Sequence, residues 1–216
     1  MAIVKEYVES EKESRLTCLL QERHSEFIDL MYKDFGLMQR PVNIPIVFQP
    51  LNGYSGMLHG EGGRYNIIKI DENLKEGSSE EENLGVELII PHETAHYLHA
   101  LRQPEFYADC FEQLSKRENF YLEKIAELAT LVFLNKSGRG AEKYRSLNMR
   151  LEGNPQHNGK PYWGDSPGSV IVTWVSNKDN LKLARKRLKK MASLSHFEFD
   201  SMHDLERLYK IEIFGV

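Results

Sequence analysis

The stretch VELIIPHETAHYLHALRQ, residues 86–103, sets three histidines and two glutamates in an otherwise apolar run. From Leu84 to about Leu101 the apolar positions recur at helical intervals. Pro91 interrupts them, because proline has no N–H to donate and clashes with the carbonyl four residues back, so the helix is either kinked there or starts there. Residues four apart on an α-helix lie about 40° apart around its axis and one turn along it. His92 and His96 therefore direct two imidazoles toward one point, and with Glu93 they spell HExxH.

That pattern carries a specific chemistry. A neutral imidazole nitrogen suits Zn2+ at about 2.0–2.1 Å, and a catalytic zinc site uses three protein ligands so that a fourth position can hold water. Glu93 leaves the flank of the same face, where it can take a proton from that water without binding the metal, the role of a general base. Val86, Leu88, Ile89 and Ile90 before the motif, Ala95 inside it and Tyr97 and Leu98 after it describe a buried helix, in which imidazoles need partners. The competing reading is a pair of core histidines bonded to carboxylates. His99 stands nearly two turns beyond His92, too far to share its ion, and reads as a packed or supporting histidine.

A third ligand is required. The metzincin pattern HExxHxxGxxH needs glycine at 99 and histidine at 102, where this chain has His99 and Arg102, and no histidine occurs between His99 and His157. A cysteine-bearing EGC motif, as in peptide deformylases, is also missing. The stretch ENFYLEKIAELATLVFLN (118–135) offers Glu118, Glu123 and Glu127. Glu123 and Glu127 are neighbours on one helical face, so that one can bind the metal while the other orients a ligand histidine.

HETAH followed by Glu123-Lys-Ile-Ala-Glu127-Leu-Ala129 resembles the gluzincin arrangement of zinc metallopeptidases, and is distantly similar to the compact ImmA/IrrE-like peptidases. Of their E-x-x-A-x-x-F-A pattern, Glu123 and Ala126 match, while Ala129 and Thr130 replace the Phe-Ala pair. The resemblance spans residues 65–132. It implies a zincin-like α+β fold, with a small mixed sheet packed on an active-site helix and a following ligand-bearing helix. It implies Zn2+ held by His92, His96 and Glu123, with Glu127 as a supporting or alternative ligand and Glu93 as the base that hydrolyses peptide bonds of a protein or peptide substrate. An oxyanion stabiliser would come from beyond the third ligand, with His157 and Tyr162 as candidates. GYSGMLHGEGGRYNIIKID (53–71) would supply an edge strand able to hold extended substrate.

Around this centre, Leu16, Leu19, Leu20, Phe27, Leu30 and Met31 predict an amphipathic helix over 8–35, closed by Gly36. The proline-broken VNIPIVFQPLNGYSG (42–56) predicts short strands. A glycine-rich loop follows, then a strand at 65–71, then the polar ENLKEGSSEEEN (72–83) as a surface loop. A helix or two cover 105–135, and NKSGRG marks a break. Beyond it the pattern reads as a helix at 141–151, a turn-rich loop at 154–169 bearing His157 and Tyr162, a strand at 170–175, a basic helix at 178–194 and a closing strand YKIEIFGV. The chain thus divides into a core at 1–137 and a C-terminal α/β subdomain at 138–216 packed on it.

Hydrophobic residues at 41% and charged residues at 28% of 216 fit a packed globular protein and exclude a disordered chain. A net charge of −4 argues against indiscriminate phosphate binding. The Lys/Arg-rich helix at 178–191 is the local exception: it is a solvated basic face, or a contact for an acidic or nucleic-acid partner. The second choice supports an alternative function, a non-catalytic metal-binding regulatory or nucleic-acid-associated protein. Cys18 and Cys110 have no metal-ligand spacing and point to a reducing compartment. The charged N-terminal stretch and the lack of a long apolar run predict a cytoplasmic protein that spans no membrane.

Overall fold

The computed structural model describes residues 2–52, 55–61, 64–76, 80–104, 107 and 116–138, together with 182, 185, 186, 188–190, 192 and 193. The elements expected at 141–151, 154–169, 170–175 and 209–216 lie outside the described residues, and His157 and Tyr162 with them.

The first helix, α1, is Ala2–Met31. Its buried positions Leu20, His24, Phe27, Ile28 and Met31 form one stripe at three- and four-residue spacing. It starts earlier than the apolar pattern predicts, because no proline or glycine interrupts residues 2–8. It also stops four residues sooner. Leu37 N–H donates to Tyr32 O at 3.1 Å and Gly36 N–H to Lys33 O at 3.0 Å. With Gly36 at a φ of 78°, these two bonds make a Schellman turn, which satisfies the last carbonyls in a conformation that favours glycine.

Three strands follow: β1 at Ile46–Gln49, β2 at Gly56–Glu61 and β3 at Arg64–Asp71, in the order β1-β3-β2. β1 runs parallel to β3, with Ile46 opposite Ile68, and β2 runs antiparallel, with Leu58 opposite Ile68. The sheet is mixed and β2 is an edge. Within the proline-broken segment β1 is short because Pro45 and Pro50 bracket it and neither can donate to a ladder.

The glycine-rich stretch before residue 65 is strand as far as Glu61, the edge strand β2, and Gly62 and Gly63 lie outside the described residues. The glycines of β2 answer to close approach rather than to a turn: a Cβ at Gly56 would stand 2.3 Å from Ile89 Cγ2, and one at Gly60 2.8 Å from the Arg64 carbonyl oxygen. The expected surface loop at 72–83 is also ordered differently, as a 3-10 turn at Glu72–Glu76 and then the start of α2 at Glu80. Acidic residues suit that position, since the helix dipole is positive at its N-terminus.

Helix α2, Glu80–Arg102, passes through Pro91 without starting there. Every residue from Ile89 to Ala100 except His92 is buried, as befits a helix that packs against α1, β2, β3 and the last helix. That last helix, α3, is Lys116–Lys136, and it turns Leu122, Ile125, Ala126, Ala129 and Val132 into the core. Among the described residues, these three helices and the small mixed sheet make an α+β arrangement.

The C-terminal basic segment is anchored to this core. Leu188 and Ala192 are fully buried within the same apolar cluster. Arg185 Nε bonds both oxygens of Asp34 at 3.1 Å, and Lys136 Nζ reaches Asp34 Oδ2 at 2.9 Å. Arg185 is thus committed to holding the chain, while Lys182, Lys186, Lys189 and Lys190 are exposed. Among the described residues, no helix is long and apolar enough to cross a membrane.

Candidate metal centre

Helix α2 carries His92 and His96 on one side, one turn apart, and the burial of Ile90, Ala95 and Leu98 around them fixes which side that is. Their rings meet edge to face, with centroids 4.8 Å apart at 79°. α3 packs across the same face and brings Glu123 between them. His92 Nε2 lies 3.1 Å from Glu123 Oε2, His96 Nε2 lies 3.4 Å from Glu123 Oε1, and the two Nε2 atoms are 3.2 Å apart.

This triangle can be tested against a metal. Ligands at about 2.0–2.1 Å from a tetrahedral ion are separated by about 3.3–3.4 Å along each edge, close to the 3.1–3.4 Å found here. Two imidazole lone pairs and a carboxylate this close also repel one another unless protons or a cation lie between them. The donor set therefore fits a small divalent ion, and its nitrogen and oxygen atoms are those that zinc accepts.

Burial works against ionisation at Glu123, but the charges and hydrogen bonds of His92 and His96 outweigh it and hold the carboxyl well below the usual carboxylate range. This occurs although 43% of the side chain remains exposed. Glu127 follows one turn later on α3, and its side chain lies outside what is described.

Glu93 sits beside the triangle and is held by the sheet. Leu58 N–H, which points outward from the edge of β2, donates to Glu93 Oε2 at 2.8 Å. Gly56 makes the approach possible: a Cβ there would stand 3.3 Å from both Cγ and Oε1 of Glu93. Burial, aided by the Glu123 charge, raises the Glu93 carboxyl above its ordinary value, against the pull of the two histidines and of Leu58 N–H. A carboxylate displaced in that direction is a better proton acceptor.

His99 does not join the triangle. It is fully buried, and its Nδ1 lies 3.2 Å from Tyr107 Oη. Burial, with a smaller contribution from His96, lowers its pKa to about 3, so it is neutral. His59 lies on β2 and is not part of the ligand cluster.

Two partners of the site escaped the sequence reading. Tyr107 Oη lies 3.3 Å from His96 Nδ1 as well as beside His99, and the backbone of Leu58 grips Glu93. An aromatic residue just past a histidine-bearing helix was a faint signal for the first. A backbone amide leaves none for the second.

Comparison with family models, with curated proteins and with solved structures finds no match to this chain. Its chemistry has to be read from the site itself.

Proposed function

We propose that this chain is a gluzincin-like zinc metallopeptidase with a zincin-like core. The observation that carries the reading is the triangle formed by His92 Nε2, His96 Nε2 and Glu123, with edges of 3.1–3.4 Å and a buried glutamate beside it. Zinc bound there would supply Lewis acidity, polarising a carbonyl and lowering the pKa of bound water toward neutrality.

The chain's own groups do the rest. His92, His96 and Glu123 would hold the ion. Glu93, its carboxyl raised by burial, accepts the proton of the attacking water and returns it to the departing amine nitrogen. Leu58 N–H holds that carboxylate at the edge of β2. The convergence of α2, α3 and the β2 edge supports this reading.

A second reading rests on the same hydrogen bond. With one oxygen of Glu93 occupied by Leu58, the centre also suits a non-catalytic protein that binds metal for structure or regulation. Glu93→Gln separates the two. A peptidase loses hydrolysis of a mixed fluorogenic peptide pool by at least about 100-fold while keeping one zinc per chain. Equal hydrolysis by wild type and variant, or none by either with zinc bound, contradicts the peptidase reading.

A further inference from the structure

We propose that Tyr107 is a positioning residue for His96 when metal is held: its hydroxyl oxygen accepts His96 Nδ1–H and its own proton goes to His99 Nδ1, which commits His96 Nε2 to the metal. The inference rests on the reading of that centre as a metal site, and it assigns to two residues outside the HExxH pattern the task of choosing a ligand's tautomer.

A neutral imidazole carries a single ring proton, so His96 can offer Nε2 to a cation only when the proton sits on Nδ1. The hydrogen bond made by the second nitrogen decides which form prevails. Here that nitrogen faces Tyr107 Oη at 3.3 Å, and His99 Nδ1 faces the same oxygen at 3.2 Å. A phenol has one proton to give. If it goes to His99, His96 must donate and its Nε2 is free to ligate. If it goes to His96, the proton of His96 is forced onto Nε2 and the centre is blocked.

Tyr107 is itself held firmly. Its side chain is 1% exposed, its N–H bonds the Pro104 carbonyl at 3.0 Å, and its carbonyl accepts the hydroxyl of Tyr65 from β3. Its ring stands edge-on to Tyr65, with centroids 5.2 Å apart, and edge-on to His99 at 5.6 Å. The sheet thus fixes the segment after α2, and that segment fixes the imidazole. His99, one turn beyond His96 on the same helix, is the acceptor that gives the relay its direction.

Two measurements test this. In zinc-loaded wild-type protein, nitrogen-15 NMR of the histidine rings should show His96 protonated at Nδ1 and His99 at Nε2. Tyr107→Phe, which keeps the ring and removes the hydroxyl, should release His99 from the Nε2–H form. In competition with a chromophoric chelator, it should also weaken Zn2+ binding by about 10–100-fold. His99→Phe should weaken it too, because the phenol proton is then free to turn toward His96. A zinc-loaded wild-type His99 protonated at Nδ1, or a Tyr107→Phe protein that binds Zn2+ as tightly as wild type, overturns the relay and leaves the metal reading standing. A wild type that binds no Zn2+ overturns both.

Discussion

Replacing Gly56 with alanine tests how the sheet governs the site. The new Cβ would lie 2.3 Å from Ile89 Cγ2, where carbon–carbon contact begins at about 3.5 Å, so β2 and α2 must part by roughly 1.2 Å or Ile89 must leave its rotamer. Ile89 is β-branched, helical and buried, which leaves it one favourable χ1. Forced overpacking of this kind costs about 1–3 kcal/mol. Separation of the two elements also strips Glu93 of Leu58 N–H, a bond to a charged group worth about 1.5–3 kcal/mol. These contributions overlap, and a net loss of about 2–4 kcal/mol is expected from urea unfolding of the metal-free protein. Because the displaced atom is identified, the reasoning also predicts rescue. Ile89→Ala alone should cost about 2–5 kcal/mol, and the double variant should be less damaged than the two losses summed by about 1–3 kcal/mol. A Gly56→Ala protein within about 0.5 kcal/mol of wild type, or strict additivity in the double variant, would refute the close approach of β2 to α2.

Two further predictions concern the frame of the site. His24 is fully buried, its Nε2 accepting Ile44 N–H at 3.1 Å and its Nδ1 donating to Thr94 Oγ1 at 2.8 Å; burial, then the Arg40 charge, lowers its pKa to about 4. Below about pH 6.5 the unfolded chain takes up a proton that folded His24 refuses. Stability should therefore fall by up to about 3 kcal/mol between pH 6.5 and 4, relative to a His24→Gln variant; parallel pH profiles would contradict this. Asp34→Ala removes the shared partner of Lys136 and Arg185 and should cost about 1–3 kcal/mol, with faster tryptic cleavage at residues 185–190. Unchanged cleavage would show that Leu188 and Ala192 hold that segment without the ion pairs.

What the sequence reveals here follows from how local each feature is. The facing of His92 and His96 is a property of helical geometry alone, and the burial of α2 follows from its composition, so both were legible. The candidacy of Glu123 was legible from its spacing, whereas its placement between His92 and His96 depends on how α3 crosses α2, which no local pattern encodes. Pro91 left two options because a helix can tolerate proline when its neighbours hold it in place. The glycines of β2 misled because glycine marks both turns and close approaches, and only the neighbouring helix distinguishes them. The end of α1 was misplaced by four residues because a Schellman turn keeps helical spacing after the helix has ended. Tyr107 and the amide of Leu58 act across the fold, through contacts that come into being only when α2, the sheet and the segment after α2 are assembled.

A peptidase centre here needs one ion at one place. An anomalous difference map recorded at the zinc edge from crystals of zinc-loaded protein should show a single strong peak about 2.0–2.1 Å from His92 Nε2, His96 Nε2 and a Glu123 oxygen. A zinc-loaded crystal with no peak at that point, or with its ion bound to other residues, would contradict it.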